Sequence, residues 1–270
     1  MESKYEKLIK YLKNLGKVAI AFSGGVDSTF LLKACKEALE DNVIAITVKA
    51  PYIPLREIKE VEEMIKDTSI EHYFLEMPLI EEIRFNPKDR CYICKKEIFK
   101  HIKDFAKDRG AKHVLDGTNF DDTKEYRPGL KALEELEIKS PLKELGFTKE
   151  EIRKYSKDLN LNTWDKPSYA CLLSRIPYGE EISFKELDRV EKSENYLHEL
   201  GFIGARVRSY GYTARIEMYK SQMIRLLENN LLDKVVLELK ALGYNYVTLD
   251  LEGYRSGSMD IMVKGGEKNE

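Results

Sequence analysis

A chain of 270 residues is long enough for one large domain, or for a domain with a smaller companion, and either buries a full core. With 43% hydrophobic and 34% charged residues it reads as an ordinary globular protein, and a formal net charge of −2 excludes the surplus of positive charge that drives sequence-independent binding to phosphate backbones. No apolar run follows Met1-Glu2-Ser3-Lys4 and none elsewhere approaches the ~18 residues of a membrane span, so a cytoplasmic protein without a membrane partner is expected, with nucleic acid disfavoured.

In chain order, residues 17–22 form a short apolar run that ends in Ser-Gly-Gly, and residues 29–39 follow with apolar positions at helical spacing. That is strand, loop, helix. Residues 43–48 repeat the buried-strand pattern, 55–65 are amphipathic, 72–75 form a further strand, and 95–106 are again helical. Residues 113–115 close the series before the turn Asp116-Gly117-Thr118-Asn119. The alternation predicts an α/β fold: a doubly wound parallel sheet covered on both faces, with ligands beyond the carboxyl ends of its strands.

From Arg127 the text turns to proline-punctuated turns, and then to a helix opened by Thr148 with Glu151 three residues on, a capping box. Residues 164–179 contain two prolines, little periodicity and Cys171. A loop of that length is functional or a linker, so the expected division is 1–177 and 178–270. The second part reads as a small α+β domain: a helix over 184–200, paired strands at 205–209 and 214–218, one or two helices within 224–242, and a last strand at 246–251.

Ser23-Gly24-Gly25-Val26-Asp27-Ser28, set between a strand and a helix, is a phosphate-binding arrangement. Two glycines let backbone N–H groups turn toward an anion, the helix directs its positive end there, and both serines add hydroxyls. A plain tight turn would also use two glycines, but needs neither serine nor the flanking elements. No lysine follows, unlike the Walker loop, which suits cleavage between the first and second phosphates of ATP, with Asp27 orienting Mg²⁺. The adenine is expected beside Val48 and Ala50, at the end of the second strand.

Cys91-Tyr92-Ile93-Cys94 suits a metal or redox site, since four cysteines are too few for a disulfide framework. Zn²⁺ with His101 as a further ligand is one reading; no thioredoxin-like pattern surrounds the pair. Cys35 lies on the inward face of its helix, where burial accounts for it, and His72, His113 and His198 read as packing or surface residues. Lys95, Lys96, Lys100 and Lys103, interrupted by Glu97, read as the wet face of a helix. In the second domain, Arg206 and Arg208 alternate on a strand and so share a face, a fork for a phosphate or carboxylate, or else the charges of a solvated edge. Arg175 and Arg255 sit in loops, where sites are built, and Glu217 is a candidate metal ligand.

The loop of residues 23–28 resembles that of the PP-loop ATP pyrophosphatases, which adenylate a substrate oxygen. Within that superfamily the chain resembles the LarE family over nearly its whole length. The resemblance rests on Gly117-Thr118-Asn119, Arg127-Pro128-Gly129 with Ser140-Pro141-Leu142, Lys166-Pro167 with the stretch 170–179 (ACLLSRIPYG), and the stretch 251–258 (LEGYRSGS). It implies the PP-loop fold in the first domain and a small substrate-binding or oligomerisation domain after it. It also implies an ATP- and Mg²⁺-dependent sulfur transferase that activates the carboxylates of a pyridinium biscarboxylate mononucleotide on the route to a nickel-pincer nucleotide. Cys171 falls where the family carries its sulfur-donating cysteine, with Arg175 beside it. Cys91 and Cys94 resemble the LarE type in which three cysteines hold a four-iron, four-sulfur cluster, and Arg206 and Arg208 resemble the family's anion-binding arginines. A cluster with three thiolate ligands leaves one iron open to carry sulfide; otherwise Cys171 gives up its own sulfur. A sulfur donor and a homo-oligomer are implied partners. The rival readings are a tRNA thiolation enzyme, which predicts RNA affinity, and a non-catalytic nucleotide-binding module, which predicts ATP binding without pyrophosphate release.

Overall fold

The structure is a computed structural model that describes residues 2–66, 68–124, 127–167, 170–228, 230–255 and 258. Ser3 and Glu6 exchange hydrogen bonds in a capping box that starts α1, Lys4–Lys13, an element that the periodicity above passes over. β1, Val18–Ala21, leads through the Ser-Gly-Gly turn into α2, Val26–Leu39. There follow β2, Val43–Lys49; α3, Leu55–Lys66; β3, Glu71–Glu76; α4, Arg90–Asp108; and β4, His113–Leu115. α5, Gly129–Glu135, and α6, Pro141–Glu144, are short helices where only turns were expected, and α7, Lys149–Asp158, starts at the foreseen Thr148 box.

The four strands form one parallel sheet in the order β3-β2-β1-β4. Its strands alternate between two cores, as the pleat requires. Val18 and Ile20 of β1 and Val43 and Ala45 of β2 pack with Leu8 and Leu12 of α1, Leu31 and Cys35 of α2 and Ile152 of α7. Ala19, Ile44 and Ile46 pack on the other face with Phe99, Ile102 and Ala106 of α4 and Leu133 of α5. Helices thus cover both faces, and the order reverses direction at β1, so the loops after β1 and β4 flank the crevice where open α/β sheets bind ligands.

In the first unit two helices begin earlier than their spacing predicted. α2 starts at Val26 because Gly25 caps it, and α4 starts at Arg90, so that Cys91 and Cys94 belong to its first two turns. Those turns carry thiols and lysines instead of an apolar stripe, which hides them from periodicity.

The chain divides into two units, Met1–Ile80 with Asp89–Ser168, and Glu81–Lys88 with Tyr169–Glu270. Residues 81–88 join the second unit through specific bonds. Buried Asn86, at φ +44°, donates through Nδ2 to the carbonyls of Ile176 (2.7 Å) and Pro177 (3.0 Å), while Arg84 meets Glu181 at 2.7 Å. A single cut at 177 has no place for this excursion. The second unit continues with α8, Phe184–Glu199; β5, Arg206–Tyr210; β6, Thr213–Glu217; α9, Lys220–Leu226; α10, Leu231–Ala241; and β7, Tyr246–Leu249. β5 and β6 are antiparallel, β7 lies parallel to β6, and the core gathers Leu197, Phe202, Val207, Ile216, Val235 and Leu239. Among the described residues, no helix is long and apolar enough to cross a membrane.

Candidate functional site

In the first unit the turn after β1 is held open by its two glycines. Gly24 lies at φ +66°, and a Cβ there would stand 2.7 Å from Cγ2 of Val61 in α3, so only glycine fits both the conformation and the space. Gly25 caps α2 without a side chain, leaving the first-turn N–H groups directed outward. The hydroxyls of Ser23 and Ser28 meet at 3.2 Å, and Ser28 Oγ donates to the Gly25 carbonyl at 3.2 Å. Lys166 fixes the turn from a distant segment: its Nζ donates to the Gly24 carbonyl at 3.0 Å and pairs with Glu60 at 2.6 Å. Amide groups, hydroxyls and a helix N-terminus at one place form a cradle for an anion.

The loop after β4 closes on the same helix end. A Cβ on Gly117 would stand 3.0 Å from the Ser28 amide nitrogen, a backbone atom that cannot yield. Buried Asn119 accepts through Oδ1 from the amides of Asp121 (2.9 Å) and Asp122 (3.2 Å), and donates through Nδ2 to Asp27 Oδ1 at 3.3 Å. The other Asp27 oxygen pairs with Lys149, the first residue of α7. Burial raises the Asp122 carboxyl above its ordinary range and Asp27 adds to this, against the Asn119 amide and Arg127, which lower it. Asp27 and Asp122 are hard oxygen donors of the kind Mg²⁺ takes. Behind them buried Asp116 accepts from Thr118 and from Ser140 Oγ at 2.6 Å, and so holds the loop's shape. Val48 is half-buried at the carboxyl end of β2.

Cys91 and Cys94, three apart at the start of α4, face one side; Cys91 is exposed, and Cys94 Sγ donates to the hydroxyl of buried Tyr52 at 3.4 Å. Two thiols so spaced fit two ligand positions of a thiolate-bound centre, iron–sulfur or zinc. The third expected ligand, Cys171, belongs to the second unit, and within neither unit do the described residues gather three His, Cys, Asp or Glu side chains as a metal centre would. Cys35 is fully buried in the core, where desolvation pushes its thiol well up.

In the second unit, half-buried Cys171 precedes a short 3-10 helix, Leu172–Arg175. Arg175 is 1% exposed. Its Nε and Nη2 meet Glu194 at 2.8 and 2.9 Å, while Nη1 donates to the carbonyls of Ala170 (2.8 Å) and Cys171 (3.1 Å) and to Ser174 Oγ. Arg175 thereby braces the loop that carries the cysteine. Arg206 and Arg208 do share a face of β5, but both are buried rather than forked into solvent. Arg206 stands 3.8 Å from Glu194 and over the Tyr254 ring; Arg208 donates to Glu217 at 2.8 Å and Ser258 Oγ at 2.9 Å. Burial lowers the Glu194 carboxyl's affinity for its charge, yet Arg175 and Arg206 outweigh this and hold its pKa below the usual carboxylate range. Glu217, also fully buried, accepts from Arg208 and Arg215, so its lone pairs are engaged by guanidinium groups. Arg255 is half-buried and paired with Glu252; Ser256 and Gly257 of the same stretch lie outside the described residues.

The chain is 35% identical over 268 residues to the pyridinium-3,5-bisthiocarboxylic acid mononucleotide synthase of Lactiplantibacillus plantarum, covering 98% of this chain and 96% of that protein. The chain belongs to the LarE family. The chain is also similar to two uncharacterised proteins: one from Synechocystis at 39% over 97% of this chain and 99% of its own length, and one from Methanocaldococcus jannaschii at 34% over 93% and 98%. Weaker matches reach an argininosuccinate synthase of Natronomonas pharaonis, 23% identical over 80% of this chain and 59% of that protein, and a GMP synthase of Campylobacter fetus, 29% over 54% and 32%. No family model matches. In this LarE family chain, sequence reasoning passed over Lys149, Glu194 and Tyr52. Lys149 had a signal, since it follows the Thr148 cap; a counter-ion for Arg175 on a helix nineteen residues away had none.

Proposed function

We propose that this chain is an ATP-dependent sulfur transferase that inserts sulfur into the carboxylates of a pyridinium biscarboxylate mononucleotide, in nickel-pincer nucleotide biosynthesis. The observation that carries the reading is the end-to-end similarity to a synthase whose product is the bisthiocarboxylic acid mononucleotide. ATP use is supported by the distant likeness to argininosuccinate and GMP synthases, and by the glycines, hydroxyls and helix N-terminus gathered after β1.

In this reading the residue 23–28 loop and the α2 N-terminus hold the departing pyrophosphate, and Asp27 with Asp122 orients Mg²⁺. Adenylation of the substrate carboxylate turns its oxygen into a good leaving group, and amides and cations aimed at the phosphates stabilise the charge that develops. Gly117 and Asn119 shape the nucleotide pocket, with Val48 against the adenine. Arg206, Arg208 and Arg255 supply the positive field for the substrate's anionic groups, and Glu217 sets the orientation of Arg208. Sulfur reaches the activated carbonyl from Cys171 as AMP leaves, either as that residue's own atom, its Cβ–Sγ bond breaking with loss of the Cα proton to leave dehydroalanine, or through a centre shared with Cys91 and Cys94. A cluster held by three thiolates would supply an open iron able to carry an extra sulfide. Arg175 is a positioning residue for Cys171.

The test is anaerobic purification with iron, acid-labile sulfide and zinc measured per chain, beside Cys91→Ala, Cys94→Ala and Cys171→Ala, and pyrophosphate release with the mononucleotide. Near four irons per chain, lost in all three variants, together with substrate-dependent pyrophosphate release, is the expected result. Zinc without sulfide leaves Cys171 as a sacrificial donor. Pyrophosphate release that requires tRNA and ignores the mononucleotide overturns the substrate.

A further inference from the structure

A groove of about 850 Å³ opens at the amino end of β4, among the C-terminal half of α4, the turn at 110–112 and residues 137–139. It lies at the opposite end of the parallel strands from the loops after β1 and β4, because His113 begins the strand whose other end leads to Gly117. Its floor includes Val114 and Ile138 and its walls carry Lys103, Lys107, Lys112 and Lys139. Lys103 is engaged, donating to the Leu136 carbonyl at 2.8 Å beside Glu137. Lys107, Lys112 and Lys139 make no ion pair or side-chain hydrogen bond among the described residues.

Three lysines without an ion partner line one concavity in a chain whose net charge is −2, which raises the local potential there, and a concave low-dielectric wall concentrates it. The field reaches the groove's own titratable group: burial lowers the His113 pKa, and Lys139 and Lys112 lower it further. Asp104 and Glu137 are the acidic groups of the lining, so the excess is positive. α4 ends here, so its dipole disfavours an anion and the lysines must supply the whole attraction.

We propose that this groove binds a small, phosphate-bearing metabolite, distinct from any nucleotide held at the residue 23–28 loop. The volume falls in the ~300–1,000 Å³ range of small-molecule sites, and the apolar floor suits a carbon skeleton beneath a charged head. Asp104 and Glu137 interrupt the positive wall, which disfavours a nucleic-acid track. The inference rests on the groove alone and stands apart from the sulfur-transfer reading.

His113 provides a local reporter. In the full chain its ring resonances, assigned with His113→Gln, are followed through a pH titration with and without millimolar inorganic pyrophosphate, against sodium chloride of equal ionic strength. An anion among the lysines favours the imidazolium, so pyrophosphate raises the His113 midpoint by about half a pH unit or more. Lys112→Gln with Lys139→Gln weakens that response about tenfold or abolishes it. Ser28→Ala, in the other loop, leaves it intact. An equal rise in chloride, a response that survives in the double lysine variant, or a response to single-stranded RNA with none to pyrophosphate overturns the proposal.

Discussion

Arg175 and Glu194 form a two-point ion pair, Nε to Oε1 at 2.8 Å and Nη2 to Oε2 at 2.9 Å, with both residues buried and the remaining Arg175 nitrogen on the carbonyl of Cys171. The geometry of a cysteine loop therefore depends on a carboxylate in α8. Glu194 also accepts from the Val207 amide at 2.9 Å, which ties the same carboxylate to β5.

Glu194→Gln removes the charge and strands a buried guanidinium. Loss of one partner from a buried pair costs about 3–5 kcal/mol, read as a lowered urea midpoint. Glu194's pKa is depressed in the folded chain, so its contribution is present above the unfolded carboxylate value of ~4.3 and is lost as pH falls through the folded one. The variant loses that acid dependence.

His72 gives a second, separable pH limb. Burial, then Lys49, push its pKa down to about 4, against Glu62. Thr47 Oγ1 spends its proton on the Phe22 carbonyl at 2.7 Å, so the 2.8 Å contact with His72 requires Nε2 to be the donor. The unfolded ring titrates near 6.5, so this contribution is complete above that pH and is lost as pH falls from ~6.5 to about 4. Denaturant stability of His72→Gln, which keeps a donor but does not titrate, shows a flatter slope across that window.

Gly24→Ala combines a left-handed backbone with a Cβ 2.7 Å from Val61 Cγ2. The expected destabilisation is about 1–3 kcal/mol by urea unfolding. Measured against Val61→Ala alone, which removes the contact at its own core cost, Gly24→Ala costs less but still carries the backbone penalty.

Lys149 neutralises Asp27 at a helix end suited to anions. Lys149→Ala exposes that negative charge to incoming phosphates and weakens Mg²⁺-free ATP binding about tenfold, ~1.4 kcal/mol, with Mg²⁺ restoring part of it. Asp27→Asn moves the other way, strengthening Mg²⁺-free binding while removing the Mg²⁺ dependence. Isothermal titration with and without Mg²⁺ checks both signs.

The sheet was legible because its strands are continuous apolar runs, and the turn after β1 because two glycines and two serines stand between a strand and a helix. Alternation of Val18, Ala19 and Ile20 between two cores needed no tertiary information. The start of α4 was not legible, since a first turn of Arg90-Cys91-Tyr92 has no apolar stripe. The fate of Arg206 and Arg208 was not legible either. Period two gave their shared face, but whether that face is open or filled depends on Glu194 and Glu217, which approach from another helix and strand. Charge at strand spacing carries no information on burial.

The polypeptide passes between its two units at 80, at 88 and again at 168, so neither unit is one continuous piece of sequence. A fragment beginning at 169 lacks Asn86, whose amide group satisfies the carbonyls of Ile176 and Pro177. During synthesis, residues 81–88 leave the ribosome long before the segment that completes their packing. Dissecting this protein into halves therefore requires a rejoined chain, with 81–88 excised from the first piece and spliced onto the second, rather than a single cut.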